Sequence, residues 1–107
     1  MASFENKQGI TLIKMHKKTR HFCPLGNDWY TARIEVELVP GETIMDYCDV
    51  DRFFKAINKG EQIIEDVVAQ VFGHFEVYGP KALKVTASVM NAAHLPVEVT
   101  KERGCAR

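Results

Sequence analysis

The chain has 107 residues, 46% of them hydrophobic and 26% charged, which is the size and composition of one globular domain and excludes a disordered or fibrous protein. Its 14 Lys and Arg balance 14 Asp and Glu, so no net field draws the molecule to nucleic acid or to an anionic membrane. No apolar run approaches the roughly 18 to 20 residues that span a bilayer, and the opening Met-Ala-Ser-Phe-Glu-Asn lacks a signal peptide's apolar core. A cytoplasmic protein without membrane contact is expected.

In chain order, Gly9 to Met15 predicts a short strand, and Pro24, Gly26 and Asn27 predict a long loop over His16 to Asp28. The basic residues Lys14, His16, Lys17, Lys18 and Arg20 fit a solvated strand end or that loop, with a local patch for nucleic acid or an anionic substrate as the alternative. From Trp29, Tyr30, Ala32, Ile34, Val36 and Leu38 alternate with polar residues, the period of a strand with one buried face, and Pro40-Gly41 ends it. Asp49 is the expected cap of a short helix bearing Val50, Phe53, Phe54 and Ile57, stopped at Gly60.

A second helix is expected from about Glu61, with Ile63, Ile64, Val67, Val68, Val71 and Phe72 on one stripe and acidic residues in its first turns. After Gly79-Pro80, Leu83 to Val89 alternates as a strand, Asn91 to His94 turns the chain, and Leu95 to Thr100 forms the last strand. The tail beyond Lys101 is expected to be loose. The order ββααββ implies an α+β domain over residues 1–107, an antiparallel sheet with two helices on one face. Its open sheet edges favour edge-to-edge assembly into a ring, hence a homo-oligomer.

Three side chains are candidates for chemistry. Cys23, beside His21 and other basic residues, is a candidate nucleophile if its thiolate is favoured, or else a structural cysteine. Asp28 is a candidate proton donor or an ordinary turn residue. Glu65, at a helix start, can accept two hydrogen bonds from the amino and ring NH groups of a guanine-like or pterin base, or serve only to complement the helix dipole. Cys23, Cys48 and Cys105 have no Cys-x-x-Cys spacing and are expected as thiols. His16, His21, His74 and His94 lack metal-ligand spacing, so no metal is expected; His74, near a helix end, is expected to satisfy terminal carbonyls.

With these residues in this order, the chain resembles the tunnelling-fold superfamily, whose members act on pterins and purine-like bases. It is most similar to the 7-cyano-7-deazaguanine reductase family, on Cys23-Pro24, Asp28 and Ile34-Glu35-Val36-Glu37-Leu38-Val39-Pro40. The family's Glu-Ser-Lys-Ser stretch falls on Asp46-Tyr47-Cys48-Asp49 and its Phe-His-Glu on Ile63-Ile64-Glu65. The resemblance implies that the Cys23 thiolate adds to a nitrile carbon, that Asp28 gives the proton, that Glu65 anchors the base and that active sites lie between subunits.

Three features depart from that family: a shorter interval from cysteine to aspartate, Ile64 in place of a substrate-side histidine, and Cys48 and Asp51 in place of cofactor-contacting lysines. NADPH therefore stays an open expectation. A related archaeal branch keeps the cysteine and aspartate and transfers ammonia to the nitrile, which does not need those lysines. Weaker similarity links Ile44-Met45-Asp46-Tyr47 to pterin synthases, whose His-Gly-His is replaced by Gly26-Asn27-Asp28. Ile64-Glu65-Asp66-Val67-Val68 and Ala87-Ser88-Val89-Met90-Asn91 are similar to dihydroneopterin aldolases, whose late-strand lysine is missing. The expected partner is a small purine- or pterin-like molecule, and the rival expectation is a non-catalytic module that binds such a base.

Overall fold

The computed structural model describes residues 3–90, 92 and 94–104. Along the chain follow β1 (Ser3–Glu5), β2 (Ile13–Cys23), β3 (Asp28–Val39), β4 (Thr43–Met45), α1 (Tyr47–Ile57), α2 (Ile64–Glu76), β5 (Ala82–Val89) and β6 (Val97–Arg103). The four long strands form one antiparallel sheet in the order β2-β3-β5-β6, and β1 pairs separately with β4. Among the described residues no helix is long and apolar enough to cross a membrane.

The alternation in β3 decides where the core forms. Tyr30, Ala32, Ile34, Val36 and Leu38 are all buried, and the register sets Val36 between Met15 of β2 and Val85 of β5. Both helices cover this face, α1 against β2 and α2 against β5 and β6. They bury Val50, Phe54 and Ile57 from α1 and Val67, Val68, Val71, Phe72 and Phe75 from α2. Each such side chain contributes roughly 1.5–3 kcal/mol by leaving water.

The other face of the sheet is polar, with the row Lys14, Glu37, Lys84 and Glu102 alternating in sign across all four strands. Gly41 lies where a Cβ would stand 2.7 Å from the Gly79 carbonyl oxygen, so the turn after β3 closes against the turn before β5 only without a side chain there.

Several boundaries differ from expectation. Most of the anticipated loop is strand: β2 runs on through Cys23, leaving only residues 24–27 as its hairpin loop. Its inward residues include Thr19 and His21, both buried, and these polar groups masked the alternation. The cap of α1 is Asp46, whose carboxylate accepts from Cys48 N at 2.8 Å. The left-handed residue after α1 is Lys59, φ 68°, and not Gly60.

Helix α2 starts at Ile64, because the preceding residues are bonded to the edge of β2 instead. Lys59 N donates to Arg20 O at 2.5 Å, Phe22 N to Gly60 O at 3.4 Å and Gln62 N to Phe22 O at 3.1 Å. Pro96 delays β6 to Val97, since it cannot donate to the ladder. At its far end β6 continues past Lys101 to Arg103, which is fixed by a 2.6 Å ion pair with Glu76 of α2. Cys105, and Asn91 of the predicted turn, lie outside the described residues.

Candidate active site

The β2-β3 hairpin and the linker between the helices build the site together. Cys23 and Asp28 are the last opposed pair of the β2-β3 ladder, which places their Cα atoms roughly 4.5–5.5 Å apart on the same face. The loop between them is held by Gly26 N donating to Cys23 Sγ at 3.4 Å, and Asn27 takes the left-handed conformation at φ 52°. Asp28 is exposed, and its Oδ1 accepts from Trp29 N at 2.8 Å.

The linker brings Glu65 to the same end of the sheet. Asn58 Oδ1 accepts from Arg20 N at 2.8 Å, and the Tyr30 hydroxyl donates to Gln62 O at 2.5 Å. Between these ties the linker lies along β2, so α2 begins beside Cys23. Cys23, Tyr30, Ile63, Ile64 and Glu65 line one cleft of about 380 Å³, with Leu25 on its rim. Asp28 lines a smaller pocket of about 50 Å³ together with Cys23 and Tyr30. The thiol therefore faces both spaces, Glu65 one and Asp28 the other. Burial pushes the Tyr30 phenol far above its ordinary value, and the nearby Cys23, Glu65 and Asp66 push the same way, so Tyr30 stays protonated as the donor to Gln62.

Two histidines do not act as expected. His21 is fully buried, with Nε2 2.7 Å from Thr19 Oγ1 and Nδ1 3.2 Å from Gly60 O. Since the carbonyl can only accept, Nδ1 carries the hydrogen and Nε2 accepts from the threonine. Burial holds His21 below the usual imidazole value, so it supplies no charge to Cys23. His74 caps no carbonyl: its ring stacks on Phe53 at 3.9 Å with 6° between planes, and its Nε2 is buried without a hydrogen-bond partner.

NADPH does not fit the residues at the two positions in question. Cys48 is exposed at the start of α1, and Asp51 is a carboxylate bonded to Lys17 at 2.6 Å and Lys55 at 3.1 Å. Those lysine bonds hold its carboxyl below the ordinary range, so a carboxylate stands at a position where the resemblance implies a cofactor-contacting lysine. Among the described residues no three of His, Cys, Asp and Glu gather as metal ligands. A separate cavity of about 430 Å³ lies between α1 and the first half of β2 and holds none of Cys23, Asp28 and Glu65.

Sequence reading missed Tyr30 and His94 as site residues. Tyr30 reads as one more core position of β3. His94 lies 71 positions from Cys23 and enters both spaces only through the turn between β5 and β6.

No family model matches the chain, and no curated protein matches it. Among solved structures it is similar to the crystal structure of the archaeosine synthase QueF-Like in the apo form, with TM-score 0.81 and 18% identity over 90% of this chain and 96% of that one. The chain thus has the fold of archaeosine synthase QueF-Like.

Proposed function

We propose that the chain is an enzyme acting on a 7-deazaguanine base that carries a nitrile, with Cys23 as nucleophile, Asp28 as proton donor and Glu65 as anchor of the base. The observation that carries this reading is that Cys23 shares one cleft with Glu65 and one pocket with Asp28. The likeness to an archaeosine synthase adds weight to a deazaguanine substrate.

In the reaction the thiolate sulfur bonds to the nitrile carbon, one C–N π bond opens, and its electron pair takes a proton from Asp28 to give a thioimide. Ammonia or another amine then adds to that carbon and expels the thiolate, leaving an amidine. Transfer of an amine is favoured over reduction because Cys48 and Asp51 stand where the resemblance implies cofactor-contacting lysines.

Incubation with 7-cyano-7-deazaguanine followed by mass spectrometry tests the proposal. Wild type is expected to gain the whole mass of the nitrile on Cys23, the Cys23→Ala variant to gain nothing, and added ammonium to release an amidine. Tight binding without an adduct would instead support a non-catalytic binding module.

The same proposal includes a ring of copies joined edge to edge. Arg20 and Phe22 turn their peptide groups to the free side of β2. By alternation Lys14, His16 and Lys18 do likewise, and the phase carried across the ladders makes Glu98, Thr100 and Glu102 the outward residues of β6. The linker leaves Ile13 to Thr19 of β2 open, seven positions, and β6 is 7 residues long.

Antiparallel pairing of these segments sets Glu102, Thr100 and Glu98 against Lys14, His16 and Lys18 of the next copy. Lys18 otherwise faces Arg33, the one like-charged pair in the described ladders, and such pairs are destabilising. Sedimentation of Glu98→Lys/Glu102→Lys should reveal smaller species, and adding Lys14→Glu/Lys18→Glu should restore the assembly. An unchanged sedimentation coefficient in the first variant refutes the pairing.

A further inference from the structure

His94 enters the site from the turn between β5 and β6. It lines both the cleft that holds Glu65 and the 50 Å³ pocket that holds Asp28, and Cys23 and Tyr30 are the other residues common to both. The smaller space, of about 50 Å³, is lined by Cys23, Asp28, Tyr30 and His94 together.

The ring is also oriented. His94 Nδ1 lies 2.7 Å from Leu95 O. A carbonyl oxygen only accepts, so Nδ1 carries the hydrogen and the neutral ring keeps its lone pair on Nε2. His21, the histidine nearest Cys23 in sequence, has both nitrogens engaged elsewhere.

We infer that His94 is the base that takes the proton of the Cys23 thiol, its Nε2 receiving the hydrogen as the sulfur becomes the attacking thiolate. The bookkeeping is one proton moved from Sγ to Nε2, with no change in oxidation state. On addition to a nitrile, the developing nitrogen anion draws its proton from Asp28, and the imidazolium remains beside the sulfur until the thiolate leaves. The ionisable groups that line the two spaces with the thiol are Asp28 and Tyr30 from β3, Glu65 from α2 and His94 from the turn. Asp28 keeps its proton for the nitrile nitrogen, Glu65 is committed to the base and the Tyr30 hydroxyl to Gln62 O, which leaves Nε2 of His94 as the acceptor, and the imidazolium it forms stands beside the new thiolate.

The inference rests on Cys23 being the nucleophile of the proposed reaction, but its test reads the thiol itself and needs no nitrile. The rate of iodoacetamide alkylation of Cys23 is followed by peptide mass spectrometry, with the exposed Cys48 as reference thiol in the same molecule. In wild type at pH 6.5, Cys23 should react about tenfold faster than in His94→Asn, whose amide can retain the bond to Leu95 O but offers no ring nitrogen. The two proteins should converge by pH 9.5, where hydroxide removes the proton, and free imidazole should restore the rate in His94→Ala. Cys48 should react equally in all three. Equal Cys23 rates at pH 6.5, or a difference that persists undiminished at pH 9.5, would overturn the inference. A missing adduct with 7-cyano-7-deazaguanine while the tenfold difference stands would remove the nitrile reaction and leave this proton transfer intact.

Discussion

Lowering the pH tests the state assigned to the buried His21. Burial depresses its folded-state pKa, an effect that its hydrogen bond to Gly60 O only partly opposes, whereas the unfolded chain titrates near 6.5. Below that value the unfolded state binds the additional proton, so stability present above about pH 6.5 is lost as the pH falls towards the folded value. One proton changes the unfolding free energy by at most about 1.4 kcal/mol per pH unit.

His21→Phe removes the titration but leaves Thr19 Oγ1 without its His21 partner and Gly60 O with only the 3.4 Å bond from Phe22 N, a cost of about 1–3 kcal/mol at pH 7.5. The assay is urea unfolding of both proteins from pH 7.5 to pH 5. The variant should start less stable, and its deficit should shrink on acidification by up to about 1.4 kcal/mol per pH unit. A deficit that stays constant over that range would mean that His21 is not held neutral, and the electrostatic picture of this strand would fail. His74, also depressed by burial, titrates with the same sign in both proteins and drops out of the difference.

Tyr30→Phe removes the 2.5 Å bond to Gln62 O. It should cost about 1 kcal/mol in urea unfolding and speed amide exchange over Gln62 to Glu65, while unchanged exchange would deny Tyr30 its hold on the linker. Phe75→Ala, at a fully buried position, should cost about 3–5 kcal/mol, and a loss below 1 kcal/mol would contradict the packing of α2 on the sheet. Asp46→Ala should lose about 1 kcal/mol as the cap of α1, whereas Asp49→Ala should lose less; the reverse order, measured by thermal unfolding, would restore the cap expected from sequence. Glu65→Leu should weaken calorimetric binding of guanine-like bases at least tenfold, and unchanged affinity would remove the proposed anchor.

The alternation in β3 and β5 and the apolar stripes of both helices were legible because each is a local period, and a one-residue slip would turn a whole face of Ile34, Val36 and Leu38 to water. The strand β2 was not, since its inward face carries Lys17, Thr19 and His21, whose burial depends on partners far along the chain: Asp51 for the lysine and Gly60 for the histidine. The start of α2 was missed for a related reason. The peptide groups of residues 59–62 find partners on β2, and propensity knows nothing of that edge.

For the site, sequence alone singled out Cys23, Asp28 and Glu65 by residue type and order. Their arrangement was a matter of tertiary structure: a four-residue loop set the thiol opposite the carboxylate, and the linker's bonds to β2 carried Glu65 to the same end. Only the folded chain assigned His21 to the core and brought His94 to the cleft. Residue type is written locally, whereas the environment that buries one imidazole in the core and sets another in the cleft comes from segments that the chain joins only on folding.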